Sequence, residues 1–142
     1  VNEEERRKDV LALVLLFLTV WIALLTFLLT RNPLRVHITS PEDGAEVGYR
    51  VLVDGTLSDP SARLYLIVKP ERGSVWFVQE PVQPRKRWRG VAYLGGKDWG
   101  VGEEFTIFAL ASHKPLNLLP GEIDEVPKAD AVSNKVKVRR VR

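Results

Sequence analysis

Between Asp9 and Arg31 the chain carries no ionisable side chain: residues 10–30 read VLALVLLFLTVWIALLTFLLT. At 1.5 Å per residue such a run makes a helix of about 31 Å, the thickness of a bilayer's hydrocarbon core. Core helices of soluble proteins seldom run so long with every face apolar. A secretory leader has a shorter apolar stretch of about 7–15 residues and then a small-x-small cleavage site, whereas Thr30-Arg31-Asn32-Pro33 follows here. The run reads as a retained signal anchor: a single transmembrane helix at 10–30, behind a short N-terminal tail at 1–9 and ahead of a domain at 31–142. Arg6, Arg7 and Lys8 precede it, while Arg31 and Arg35 follow. The positive-inside rule therefore predicts a single-pass protein of the cell membrane with a cytoplasmic N-terminus and an extracytoplasmic C-terminal domain.

Within the span the small and hydroxyl residues Ala12, Thr19, Ala23, Thr26 and Thr30 follow one heptad-spaced line, with Leu16 as its one large member. Small residues let helix backbones approach closely, so this line predicts a packing face for another membrane helix or for a second copy of the chain. Trp21, near the centre of the span, is unusual for an aromatic facing lipid and points the same way.

From Leu34 onward continuous apolarity gives way to alternation broken by turn residues, the pattern of an all-β domain. Strands are predicted at 34–39, 49–56, 63–69, 74–79, 87–94, 104–112 and 134–141. Ser40-Pro41-Glu42-Asp43-Gly44 ends the first, Gly44 supplying a positive φ. In the third, Leu64, Leu66 and Val68 alternate with Tyr65 and Ile67, so both faces are apolar and the strand is central. The last places Val136 and Val138 inward and Lys135, Lys137 and Arg139 outward, an edge strand guarded by charge. The loop at 113–133 is long, with room for a helical turn at 116–119. About seven short strands with no soluble helix predict an immunoglobulin-like sandwich.

Particular residues carry a resemblance to a known group. Ile38-Thr39-Ser40-Pro41-Glu42-Asp43-Gly44-Ala45-Glu46-Val47, followed by Val51-Leu52-Val53-Asp54-Gly55-Thr56, resembles the I-x-S-P-x-D-G-x-x-V and V-x-V-x-G-x opening of bacterial immunoglobulin-like modules. Arg87-Trp88-Arg89-Gly90-Val91-Ala92-Tyr93-Leu94-Gly95-Gly96 is similar to their later R-W-x-x-x-x-Y-L-G stretch. The resemblance implies a spacer or binding unit of an envelope or surface protein, and it carries over no site residues.

The chemical inventory argues against an enzyme. There is no Cys, so thiolate metal sites and cysteine nucleophiles are excluded. His37 and His113 stand apart without ligand-spaced partners, and no cofactor or metal is expected. No serine lies in GxSxG, and the Gly-rich 95–102 stretch lacks the phosphate-binding order, reading instead as a hairpin loop.

The conspicuous polar feature is Arg85-Lys86-Arg87-Trp88-Arg89, with Trp76 and Trp99 in neighbouring segments. Alternation turns Trp88 inward and leaves Arg87 and Arg89 outside. Trp76, Arg85, Lys86, Arg87, Arg89 and Trp99 are then the candidate partner-binding residues, since guanidinium and indole together suit anionic or glycan ligands. Removing the three basic and four acidic residues of 1–9 from the chain's 21 and 18 leaves a mildly basic domain, for which nucleic acid is not the expected partner. The expected role is an accessory or scaffold subunit making protein contacts within a membrane or envelope complex. The alternatives are a module binding glycan or anionic polymer, and an oligomerising membrane effector or signalling component with a cytosolic domain.

Overall fold

The computed structural model describes residues 2–30 and 33–142, and the side chains of all of these but residues 29 and 30. It divides into two compact units, Val1–Pro33 and Leu34–Arg142. Arg31, which enters the orientation argument, lies outside the described residues.

The first unit is one helix, α1 (Glu3–Thr30). It begins before the apolar run, so most of the predicted tail is its first turns. Asn2 caps it, Oδ1 accepting from the Glu5 N–H at 2.9 Å, and Glu3, Glu4 and Glu5 place negative charge where the helix dipole favours it. Large apolar side chains stand exposed on every side, from Val14 at 49% to Phe27 at 66%. From Glu3 to Leu28 the helix is long and apolar enough to cross a membrane.

The second unit is built of β1 (Val36–Ser40), β2 (Glu46–Val47), β3 (Arg50–Leu57), β4 (Arg63–Pro70), β5 (Trp76–Val78), β6 (Arg87–Tyr93), β7 (Glu104–Ser112), β8 (Gly121–Ile123), β9 (Ala131–Val132) and β10 (Val136–Arg140). One sheet has the order β1-β3-β6; the other runs β2-β10-β7-β4-β5-β8, with β9 also on β7. Pairing is antiparallel except between β10 and β2.

The described strands number ten rather than about seven. The additional β2, β8 and β9 are two or three residues long, too short for an alternating pattern to mark. The Gly-rich stretch at 95–102 is not a hairpin. β6 pairs with β3 and β7 with β4, so this segment crosses from one sheet to the other.

Alternation builds the main core between the sheets. Val53, Leu66, Trp88, Phe105 and Val138 are among its deeply buried members. A Cβ at Gly55 would collide with the Trp88 ring and the His37 carbonyl, so the absent side chain makes room for the indole.

The apolar second face of β4 finds its cover in the segment predicted as a loop. Tyr65, Ile67, Val78, Phe108 and Leu110 form a second core, over which Leu116, Leu118, Ile123, Val126 and Ala129 pack. The chain leaves β7, reaches the far edge of the sheet to pair β8 with β5, and returns as β9 on β7. No helical turn forms at 116–119. That stretch is irregular, with Asn117 at φ 53° and Leu119 79% exposed.

β9 and β10 behave as one interrupted strand beside β7. At the interruption, Ser133 N–H donates to the Ala109 carbonyl at 2.9 Å while its Oγ accepts from the Ala109 N–H at 2.7 Å. β10 is not the open edge strand predicted: β2 pairs with Arg139 and Arg140, and ahead of it Lys137 donates its N–H to Asp43 Oδ1 and accepts the Gly44 N–H, both at 2.7 Å.

Candidate functional site

The predicted basic-aromatic cluster separates into distinct surfaces. Arg87 and Arg89 stand on the outer face of β6 and Trp88 points inward, 2% exposed, its Nε1 without a hydrogen-bond partner. Arg89 forks onto Asp54 of β3, Nε to Oδ1 at 2.6 Å and Nη2 to Oδ2 at 3.2 Å. That hydrogen bonding holds the Asp54 carboxyl below the usual carboxylate range and raises the Arg89 guanidinium. Arg85 and Lys86 are exposed before β6, with Arg85 Nη2 donating to Gln83 Oε1 at 3.2 Å.

The two other indoles lie elsewhere. Trp76 is half-buried against the second core with Lys69 Nζ 5.9 Å from its ring centre. Trp99 is 45% exposed in the crossing segment, its ring over Gly96 and near Phe77 (6.0 Å) and Phe105 (6.4 Å). Arg85 to Arg87 enter β6 at one end and Trp99 follows the other, a strand length of about 20 Å away.

On α1, Ala12, Thr19, Ala23 and Thr26 fall within an arc of about 60° at 3.6 residues per turn. Thr19 Oγ donates to the Leu15 carbonyl at 2.8 Å and Thr26 Oγ to the Ile22 carbonyl at 2.7 Å, so both hydroxyls are bound within their own helix. The Thr30 side chain lies outside the described ones.

Among the described residues one inward-facing cation that the sequence does not single out makes four side-chain hydrogen bonds. Arg140 is 3% exposed. Its Nη1 donates to the carbonyls of Leu94 (2.8 Å), Gly96 (2.6 Å) and Trp99 (2.8 Å), and its Nε to that of Arg142 (2.7 Å). Its Cζ lies 4.7 Å from the centre of the Tyr49 ring. The guanidinium therefore fastens the segment bearing Trp99, and the positive φ of Gly95 (82°) and Gly100 (103°) bends that segment around it. The signal was available: the alternation that turns Val136 and Val138 inward turns residue 140 inward as well.

Gln79, also buried, accepts from the Tyr93 N–H at 2.8 Å and donates to the Phe77 carbonyl at 3.1 Å, linking the two sheets along one side.

The remaining polar contacts are structural in geometry. Ser112 Oγ and the His113 N–H both bond Asp130 Oδ2, at 3.3 and 2.9 Å, while the His113 ring faces Asp59 at 3.7 Å. The imidazole is thus not paired with the serine it adjoins, and a nucleophile-base arrangement is not assembled there. Hydrogen bonds from Ser61 and from the His113 backbone lower Asp59 and Asp130, respectively. Among the described residues no group of three or more His, Cys, Asp or Glu side chains converges to hold a metal ion. Open hollows of about 450 Å³ lie beside Glu71, Glu103 and Arg139 and beside Tyr65, Pro84 and Leu118.

No protein-family model matches the chain, and no curated protein matches it in sequence.

Proposed function

We propose that this chain is a single-pass membrane protein whose helix assembles with other membrane helices and whose immunoglobulin-like domain makes protein contacts as an accessory or scaffold subunit, without catalysis of its own. The observation that carries the reading is α1: a helix from Glu3 to Leu28 of sufficient length, whose large side chains from Val10 onward are apolar around the whole circumference. The immunoglobulin-like part is supported by sheet order. The three-strand set β1-β3-β6 faces β10-β7-β4-β5, and the first strand region is divided between the sheets, β1 on β3 and β2 parallel to β10. The charge flanking the span favours a cytoplasmic N-terminus.

The test is extraction and topology together. The full chain in native membranes should resist alkaline carbonate, and protease outside intact cells or spheroplasts should digest the domain. Release by carbonate would overturn the anchor; a protected domain would reverse the topology and favour the cytosolic effector reading.

The glycan-binding alternative has one observation in its favour, the 45% exposure of Trp99 on a segment fixed by Arg140. Loss of retention on immobilised envelope glycan by Trp99→Ala, with folding intact, would promote it; no retention of the unaltered chain would remove it.

A further inference from the structure

The end of the β domain at which β1 begins is also where β3 and β7 finish and where β4 and β6 start. Val36 pairs with Leu57, Thr56 with Arg87, and Arg63 with Ser112. The Ser58 N–H donates to the Arg35 carbonyl at 2.9 Å, and the Leu57 N–H to the Lys86 carbonyl at 2.9 Å. This convergence gathers Arg35, Arg63, Arg85, Lys86, Arg87 and Lys114 at one end, every one of them exposed. Arg63, Pro84 and Pro115 line one hollow, which places their chain neighbours Arg85 and Lys114 on its rim.

Among the described residues none of the six makes a salt bridge, although the charge of Lys114 reaches Asp130 and helps to lower its carboxyl. The nearby Asp59 and Asp130 accept hydrogen bonds from Ser61 and His113 and keep their negative charge, so this end is basic in balance. The opposite end is mixed in sign, with Glu71, Glu103 and Glu104 beside Arg72 and Arg139.

We propose that this basic end rests on anionic lipid headgroups of the bilayer that α1 spans. The inference depends on the membrane-anchor reading. Arg31, Asn32 and Pro33 alone separate Thr30 from Leu34, and a chain of that length reaches at most about 14 Å. Covalent length therefore keeps the first residues of the domain within about two Debye lengths of the helix end at physiological salt. Exposed cations in excess of carboxylates held there are attracted by an anionic leaflet, each adding to the effect, and added salt weakens it.

The test uses the full chain in lipid nanodiscs of phosphatidylcholine, alone or with about one third phosphatidylglycerol. A soluble amine-acetylating reagent is followed by mass spectrometry at each lysine. Lys86 and Lys114 should react at least about fivefold more slowly in the anionic discs, and high salt should abolish the difference. Lys97, in the crossing segment, should react alike in both. Arg63→Glu with Arg85→Glu, which removes no labelled group, should restore the reactivity of Lys86 and Lys114.

Equal reactivity of Lys86 in the two discs, with the chain still co-purifying with them, overturns the headgroup contact and leaves the anchor standing. Equal protection of Lys97 also overturns it, because the effect would then not belong to the basic end. A chain that fails to stay with phosphatidylcholine discs overturns the anchor and this proposal with it.

Discussion

The side chain of Asn134 pairs with the backbone of Ile38 as a neighbouring strand would: Oδ1 accepts the Ile38 N–H at 2.8 Å and Nδ2 donates to the Ile38 carbonyl at 3.1 Å. One amide thus occupies the outer edge of β1 and ties the first strand of one sheet to the approach to β10 in the other. On the opposite edge Gln79 satisfies the Tyr93 N–H of β6. Both margins of the three-stranded sheet are blunted by a carboxamide rather than left as templates for another strand.

Asn134→Ala should therefore destabilise the domain by about 1–2 kcal/mol, because it strands a donor and an acceptor on Ile38. Urea unfolding with an unchanged m-value checks this. No shift in midpoint would mean that solvent replaces the clamp without cost.

Arg140→Met keeps much of the side-chain volume but removes the donors that three carbonyls share. A loss of about 2–4 kcal/mol is expected. Limited trypsin digestion should begin after Lys97, on the released segment, before any other site. Cleavage starting elsewhere would show that Arg140 does not fasten that segment.

Trp88 separates packing from charge. Trp88→Ala should cost about 3–5 kcal/mol, whereas Arg85→Ala with Lys86→Ala should remain within about 0.5 kcal/mol. Trp88→Phe should be much milder than Trp88→Ala, since the indole N–H has no partner to lose. Equal losses for Phe and Ala would reveal a hydrogen bond at that nitrogen.

Acid should weaken the domain through Asp54, Asp59 and Asp130, all lowered in the folded state. An unfolded aspartate titrates near about 3.9, so the folded form binds these protons less readily; the stabilisation is complete above that pH and fades as pH falls through the still lower folded values. Arg89→Ala should flatten the acid limb of a stability-versus-pH curve. A steeper limb in that variant would reverse the sign assigned to the pair.

In the membrane, Ala23→Leu should weaken self or partner association by about 1 kcal/mol, while Leu24→Ala on another face should not. Energy transfer between labelled copies in bilayers reads self-association directly. Equal effects at the two positions would remove the case for a preferred face.

Much of the strand placement rests on features that a sequence displays openly. The alternation in β3, β4, β6 and β7 marked the long strands within a residue or two, and the two apolar faces of β4 announced a centrally placed strand. What covers the second face was not legible. Leu116, Leu118, Ile123 and Val126 have no common period, because a wrapping segment touches the sheet wherever its turns allow. The separation of Trp76 and Trp99 from the basic run was equally hidden, since proximity along the chain says nothing about which sheet a segment joins. Arg140 was hidden differently: its position obeys the alternation, but a cation at an inward site contradicts the usual partition of charge and is read as surface.

The parallel pairing of β2 with β10 has a consequence for biosynthesis. The second strand of the domain acquires its ladder from the last, so the opening hundred or so residues cannot close the sandwich while the C-terminal stretch is still inside the ribosome. A chain emerging N-terminus first would expose its apolar helix well before any stable domain stood behind it, leaving the remainder pliable in the meantime. Ribosome-stalled chains ending before Val136 should remain protease-sensitive throughout the domain, and resistance should arise only once Arg140 has cleared the exit tunnel.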